Sequence, residues 1–111
     1  MSLTLTFTYP PSANRIWRNV KGRTIKSAEY RDWLMLNSSV SLSPLEGAYR
    51  LTILATAPDK RKRDLGNLEK PVSDLLQHIG AVSDDCNAKE IRLAWVEGPG
   101  AGVTVTVEPI Q

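Results

Sequence analysis

The chain has 111 residues, of which 41% are hydrophobic and 23% are charged. A chain of this length forms one hydrophobic core, and this composition excludes a protein that is disordered throughout. We therefore expect a single domain over residues 1–111. The one cysteine, Cys86, excludes an internal disulfide and a cysteine-rich metal site. No long apolar window or secretory leader is evident, so a cytoplasmic location without membrane contact is expected.

The net charge of +2 conceals an uneven distribution. Residues 1–63 carry eleven Lys or Arg against four acids, whereas residues 64–111 carry three against eight. A basic half beside an acidic half suggests that one part binds a polyanion while the other part gathers carboxylates. The alternative is that both sets are simply solvated surface.

The first half of the chain predicts a strand, a loop and a helix. Apolar and Thr residues alternate from Leu3 to Tyr9, which is typical of a half-buried strand. Residues 14–26 have no clean period and read as a basic loop. Ser27 is a suitable N-cap for a helix over roughly 28–40.

The second half predicts a strand at 49–55, a helix and two further strands. The helical stripe consists of Leu68, Val72, Leu75, Leu76 and Ile79. Pro71 must lie in the first helical turn, which makes Asn67 the expected cap. Strands at 91–95 and 103–107, joined by a glycine-rich link, predict a hairpin. The order β-α-β-α-β-β predicts an α+β (mixed α/β) fold, a four-stranded mixed sheet with two helices on one face.

A run of four cations stands between the second strand and the second helix. Lys60, Arg61, Lys62 and Arg63 repel one another, and phosphates would neutralise them with release of counterions. This favours a nucleic-acid contact, although a solvated basic turn or a localisation signal has the same composition.

Carboxylates flank the basic run. Asp64 follows it directly, and Asp84 with Asp85 precedes the third strand, so all could meet at one edge of the sheet. Mg²⁺ needs only one or two carboxylates besides water and substrate phosphate, which is sufficient for phosphodiester hydrolysis. Adjacent aspartates are also common turn formers and caps. Lys70 could face a phosphate, or pair with Asp74 at i,i+4 spacing.

Several further positions form a pattern when they are taken together. They are Pro10-Pro11-Ser12 with Asn14 and Arg18; Gly22-Arg23-Thr24 with Ser27 and Tyr30-Arg31; and Pro58-Asp59, the basic run, Asp64, Asn67, Lys70, Asp74, Gly80 and Asp84-Asp85. In order and spacing, this pattern resembles the RusA family of Holliday-junction resolvases, small dimeric phage and bacterial endonucleases.

The resemblance implies a homodimer that cuts a four-way DNA junction symmetrically in recombination and repair, using Mg²⁺, for which Mn²⁺ should substitute. It implies catalytic metal ligands at Asp64 and Asp85, an acidic neighbour at Asp84 and an essential lysine at Lys70. We assign DNA contacts to the basic loop and the basic run: Asn14, Arg15, Arg18, Lys21, Arg23, Lys60, Arg61, Lys62, Arg63 and Asn67.

One position departs from the family pattern. Gly66 stands where the family has an aspartate, so one carboxylate is missing and activity is expected to be reduced or absent unless Glu69 or Asp74 replaces it. The alternative function is a non-cleaving junction-binding protein with the same fold. A basic RNA-associated module is supported by charge alone.

Overall fold

The computed structural model describes residues 2–12, 17–38 and 44–110. It confirms an α+β domain with a four-stranded mixed sheet and two α-helices. In chain order the elements are β1 Leu3–Phe7, β2 Trp17–Val20, β3 Arg23–Lys26, α1 Ala28–Leu36, β4 Tyr49–Thr56, α2 Glu69–His78, β5 Ala88–Trp95 and β6 Gly102–Pro109, with short 3-10 turns at Leu65–Leu68 and Asp85–Asn87. Within the described ranges, no helix is long and apolar enough to span a membrane.

The sheet order is β1-β6-β4-β5, which shows that the predicted hairpin of the last two strands is wrong. β4 lies between them, antiparallel to β6 and parallel to β5. The central position suits β4, because its inward residues Leu51, Ile53 and Ala55 are fully buried. β5 instead exposes Lys89 and Arg92, and charged side chains are typical of an edge strand.

The two connections explain how this order is reached. The parallel pairing of β4 with β5 needs a long crossover, and residues 57–87, which contain α2, provide it. The link at 96–101 crosses the end of β4 to reach β6, a distance of about 10 Å for two strand spacings. A six-residue segment spans that distance easily, so the short glycine-rich link does not require a hairpin.

The core lies between one face of the sheet and both helices. The buried side chains of α1 and α2 belong to the same cluster as the inward residues of β4 and β6. On the helices these are Tyr30, Trp33, Leu34, Val72, Leu75 and Leu76. The predicted stripe of the second helix is therefore confirmed, and the helices pack on one face of the sheet as expected.

The segment predicted as a basic loop contains a two-stranded hairpin. β2 pairs with β3 in antiparallel register from Trp17↔Lys26 to Val20↔Arg23. A turn at Lys21-Gly22 joins the two strands, with φ of 51° and 78°. The hairpin was missed because most of its side chains are exposed and therefore show no apolar alternation. Asn14 and Arg15 lie outside the described residues.

The first helix begins as predicted and ends earlier than predicted. Ser27 Oγ accepts a hydrogen bond from the Tyr30 N–H at 3.1 Å, which confirms the N-cap. The helix ends at Leu36, and Asn37 is the C-cap. The Asn37 side chain joins this end of the helix to the segment after β1, because Asn37 Oδ1 accepts a hydrogen bond from the Thr8 N–H at 3.1 Å. Part of the predicted extent to residue 40 lies outside the described residues.

The second helix begins differently from the prediction. Leu68 occupies the N-cap position without a side-chain bond, so the expected cap at Asn67 is wrong. Asn67 lies in the preceding 3-10 turn, which Asp64 caps. The 3-10 turn at Leu65–Leu68 continues directly into α2, so the helical backbone begins at the turn and the side-chain cap is provided there by Asp64. Pro71 is the third residue of α2, in the first turn as predicted, and Gly80 follows the helix with φ of 78°.

Candidate active site

Asp59 organises the basic run. Its carboxylate accepts hydrogen bonds from the Arg61 backbone N–H at 3.0 Å and from Arg61 Nε at 3.2 Å, and it lies 2.8 Å from Arg63 Nη2. These donors, those of Arg61 above all, lower the pKa of Asp59 from 3.8 to about 2. One acid thus offsets part of the repulsion among the four cations.

The four cations are not equivalent. The Arg63 side chain is only 19% exposed, and its guanidinium carbon lies 5.5 Å from the centre of the Tyr9 ring, a cation–π distance. Lys60, Arg61 and Lys62 are exposed. Arg63 therefore joins the basic run to the end of β1, and the other three are the cations accessible to a large polyanion.

A cleft of about 240 Å³ joins the amino-terminal and central sequence motifs. We call it the proline cleft. Its lining consists of Tyr9, Pro10, Pro11, Ser12, Lys62, Arg63, Asp64, Asn67 and Leu68. Pro10 and Pro11 precede Asp64 by 54 and 53 residues yet line the same cleft, so two distant parts of the sequence pattern share one surface.

Asp64 and Gly66 are in direct contact. Asp64 Oδ1 accepts a hydrogen bond from the Gly66 N–H at 3.0 Å and so caps the 3-10 turn. A Cβ built on Gly66 would meet only Asp64 Oδ1, at an ordinary van der Waals distance of 3.5 Å. The backbone at this position does not require glycine, so a larger side chain would fit there, directed beside the Asp64 carboxylate.

A second cleft, of about 440 Å³, lies along α2. We call it the lysine cleft. It is lined by Trp17, Lys26, Lys70, Asp74, Gln77, His78, Asp84 and Asp85. Lys70 Nζ donates to Asp74 Oδ1 at 3.0 Å, which confirms the i,i+4 pair that the spacing allowed. This hydrogen bond raises the pKa of Lys70, so the lysine is charged at neutral pH.

The two adjacent aspartates enter the lysine cleft from the loop before β5. Asp84 Oδ1 accepts from the Cys86 N–H at 2.9 Å, a capping bond that lowers the pKa of Asp84. The Asp85 N–H donates to Gln77 Oε1 at 3.1 Å, which ties the loop to the end of α2. Asp84 therefore caps the 3-10 turn at Asp85–Asn87, which is one of the roles that the sequence allowed for the adjacent aspartates.

Beneath these acids lies the hydroxyl of Tyr49, which is buried without a hydrogen-bond partner in the described structure. Burial, with smaller contributions from Asp85, Glu69 and Asp84, raises the pKa of Tyr49 to about 12. The negative charges of Asp84 and Asp85 before β5 and of Glu69 at the amino terminus of α2 thus all act on the Tyr49 hydroxyl. Asp85 and Glu69 also act on Lys70.

The structure places the predicted site residues in two neighbouring groups. Asp64 lines the proline cleft, whereas Asp84, Asp85 and Lys70 line the lysine cleft. The start of α2 adjoins both, because its N-cap Leu68 lines the first cleft and Lys70 lines the second. Among the described residues, no three His, Cys, Asp or Glu side chains are arranged to hold a metal ion. The carboxylate oxygens that line the two clefts are hard donors, which suit Mg²⁺ with water and phosphate completing the coordination.

The predicted DNA-contacting residues are distributed over two elements. The connection before α2 carries Lys60, Arg61, Lys62, Arg63 and Asn67, and the β2–β3 hairpin carries Arg18, Lys21 and Arg23. All of them except the half-buried Arg63 are exposed. Trp17 of the same hairpin is 41% exposed and lines the lysine cleft.

Sequence reasoning missed the residues that support the site from a distance. Tyr30 as a partner of Asp74 carries no local signal, because folding brings the two residues together across 44 positions. Asp59 bonds Arg61 and Arg63 nearby in the sequence, and Gln77 bonds Asp85, but these contacts form in irregular connections whose geometry follows no simple spacing. Only the Lys70–Asp74 spacing indicated any of this network in advance.

Cations, carboxylates and a lysine gathered around the β4–α2 connection are the groups that a phosphodiester-cleaving nuclease needs. Residues 8–108 match the family model described as Endodeoxyribonuclease RusA. The crossover junction endodeoxyribonuclease RusA of Escherichia coli K12 is 36% identical over 95 residues, covering 80% of this chain and 78% of that protein. The enzyme of the same name from Enterobacteria phage HK97 is 30% identical over 109 residues, covering 93% and 91%.

The chain therefore belongs to the RusA endodeoxyribonuclease family. This confirms the resemblance inferred from the residues. Family membership indicates a nuclease that uses a divalent metal ion, and relatives occur in both bacteria and phages, including Enterobacteria phage 82.

Proposed function

We propose that this protein is a Mg²⁺-dependent endodeoxyribonuclease that resolves four-way DNA junctions by paired, symmetric phosphodiester hydrolysis in recombination and repair, in the cytoplasm of a bacterial host. The family match over residues 8–108 carries the proposal. The clustering of Lys70, Asp84 and Asp85 on one cleft, adjoining the segment that holds Asp64, supports it.

Asp64 and Asp85 are proposed as the ligands of the metal ion, with Asp84 as an additional carboxylate. When bound, a divalent cation would offset charge on the scissile phosphate and acidify a coordinated water. Lys70 is proposed to donate to a phosphate oxygen and so stabilise the negative charge that develops during attack. Its raised pKa supports this role, because the ammonium is fully charged at the pH of the reaction.

The exposed cations are proposed to position the DNA backbone. Lys60, Arg61 and Lys62 follow β4 as a continuous exposed segment, and Arg18, Lys21 and Arg23 present a second group on the hairpin. Contacts of this kind bind phosphates regardless of sequence and are sensitive to salt. Asn67, exposed beside Asp64 in the proline cleft, is proposed to contact DNA close to the cleavage point.

A homodimer is proposed because a two-fold protein matches the near two-fold symmetry of a four-way junction. The edge strand β5 leaves Ile91 and Trp95 about 40% exposed, so their apolar surface is accessible to a second copy of the chain. We expect a dimer by size-exclusion chromatography with light scattering, and a shift toward monomer in Trp95→Glu. A wild-type monomer at micromolar concentration would contradict the proposal.

A non-cleaving junction-binding protein is the second candidate, and Gly66 favours it. With one carboxylate absent, the metal is bound more weakly and the attacking water is less well placed. This candidate keeps the basic surface and the fold but loses the reaction.

A synthetic four-way junction incubated with and without Mg²⁺ tests both candidates. Paired nicks that require Mg²⁺, and that vanish in Asp64→Asn and Asp85→Asn, support the nuclease. Glu97→Gln, the same charge change in the exposed link after β5, is the matched control and should cleave like the wild type. Tight junction binding without nicks favours the second candidate. Equal affinity for linear duplex at matched salt would refute both.

A further inference from the structure

The Lys70 ammonium is anchored through a chain of contacts that reaches the protein core. Lys70 Nζ bonds Asp74 Oδ1 at 3.0 Å, and the other oxygen of the same carboxylate, Oδ2, accepts from the Tyr30 hydroxyl at 2.5 Å. Both Asp74 oxygens are thus in use. The Asp74 side chain is 18% exposed against 52% for Lys70, so the anchor is buried more deeply than the group it holds.

Tyr30 is itself fixed. It is fully buried on α1, its ring stacks on Trp33 with centres 6.2 Å apart, and Trp17 of β2 meets it edge-on at 6.1 Å. Burial and the bond to Asp74 raise the pKa of Tyr30 far above its ordinary value of 10.0. The hydroxyl therefore keeps its proton under all working conditions and acts as a permanent donor to Asp74.

We propose that Tyr30 and Asp74 are positioning residues that hold the Lys70 ammonium in the lysine cleft for the incoming phosphate. The proposal rests on the catalytic role of Lys70 given under the proposed function. A free lysine side chain samples many rotamers, and fixing it costs conformational entropy. A carboxylate held on both oxygens orients the lysine before DNA arrives, and two ammonium N–H groups remain for phosphate oxygens.

The network also ties three elements to the site. Tyr30 comes from α1, Trp17 from the hairpin, and Asp74 with Lys70 from α2. Of the other charged groups, Asp85 and Glu69 act on Lys70 electrostatically, and Lys26, His78 and Asp84 line the same cleft. An i,i+4 ion pair that only stabilises a helix needs no further partner. Here the Asp74 carboxylate is also bonded to the buried Tyr30 hydroxyl, so the Lys70–Asp74 pair has a support that helix stability does not require.

The test compares Asp74→Asn and Tyr30→Phe with wild type under single-turnover conditions, on a junction at saturating protein with Mg²⁺. We expect Asp74→Asn to lower the cleavage rate about 100-fold, the effect of misplacing a reacting group by about 1 Å. Tyr30→Phe leaves the Lys70–Asp74 pair in place and removes one of its supports, so a loss of about tenfold is expected. The dissociation constant for the junction should stay within about twofold in both, because phosphate contacts elsewhere dominate binding.

Asp32→Asn is the matched control, since Asp32 is an exposed aspartate on α1 outside the network. A readout independent of activity is the ¹⁵N signal of the Lys70 ammonium, which a stable hydrogen bond protects from rapid exchange with water. We expect that signal in the wild type and in Asp32→Asn, and its loss in Asp74→Asn.

The two proposals fail in different ways. If Lys70→Met cleaves like the wild type, the catalytic role of Lys70 is refuted and the positioning role with it. If Lys70→Met is inactive while Asp74→Asn retains the wild-type rate, or keeps the protected ammonium signal, only the positioning proposal is refuted. A parallel loss of rate and junction affinity in a folded Asp74→Asn would also refute it, because that result indicates a role in binding.

Discussion

Replacing Gly66 by aspartate adds a carboxylate at the position where the sequence pattern leads us to expect one. The new Cβ would lie 3.5 Å from Asp64 Oδ1 and meet no other atom within 4 Å, so the substitution creates no steric conflict. The new carboxylate would lie beside that of Asp64, giving a metal ion two adjacent oxygen donors.

The expected change in stability without metal is small. Removing glycine from the unfolded chain stabilises the fold by about 0.4–1 kcal/mol. Two exposed carboxylates about 4 Å apart repel by about 1 kcal/mol in water. These contributions nearly cancel, so the melting temperature of Gly66→Asp without divalent cation should lie within about 4 °C of the wild type.

The change with metal should be large. A second adjacent ligand should tighten Mg²⁺ or Mn²⁺ binding at least about tenfold, which corresponds to about 1.4 kcal/mol. Calorimetric titration with Mn²⁺ measures this directly, and thermal unfolding with millimolar Mg²⁺ should show a larger upward shift for Gly66→Asp than for wild type. Junction cleavage should increase by at least about tenfold.

Gly66→Asn is the matched control, because its side chain has the same shape without the charge. It should cleave no faster than the wild type. The reasoning is refuted if Gly66→Asn and Gly66→Asp behave alike, or if Gly66→Asp gains neither metal affinity nor cleavage.

Three further predictions follow from the fold and the basic run. In the folded chain the pKa of Asp59 is about 2 against an ordinary 3.8, so the contribution of the Asp59 carboxylate to stability is complete above pH 3.8 and is lost as the pH falls through 2. The melting temperature of the wild type should therefore exceed that of Asp59→Asn at pH 5, and the difference should shrink steadily below pH 4. A difference that does not depend on pH would contradict the role of Asp59 in holding Arg61 and Arg63. The double change Lys60→Ala with Lys62→Ala should reduce the slope of log affinity against log salt by about 2, measured by fluorescence anisotropy, whereas Lys89→Ala on β5 should leave it unchanged. Leu76→Ala empties a fully buried position and should cost about 2–5 kcal/mol in urea unfolding, while Leu36→Ala, 68% exposed on α1, should cost less than about 0.5.

Much of the local structure was determined by the sequence itself. The buried stripe from Leu68 to Ile79, the cap at Ser27 and the stop at Gly80 depend on residues a few positions apart, so periodicity and capping rules identify them. The basic run and the aspartate that follows it could be identified for a similar reason, because they are contiguous in the sequence. Their match to the family pattern depends on residue type and spacing alone.

Tertiary structure alone decided which strands pair and which side chains support the site. β4 separates β5 from β6 because the central strand must be covered on both edges, a condition that no short window of sequence contains. Likewise, Tyr30 reaches Asp74 across 44 residues, and the proline segment shares a cleft with Asp64 only in the folded chain. Contacts between distant residues are selected by the free energy of the whole core, whereas the sequence pattern reports only the preferences of neighbouring residues.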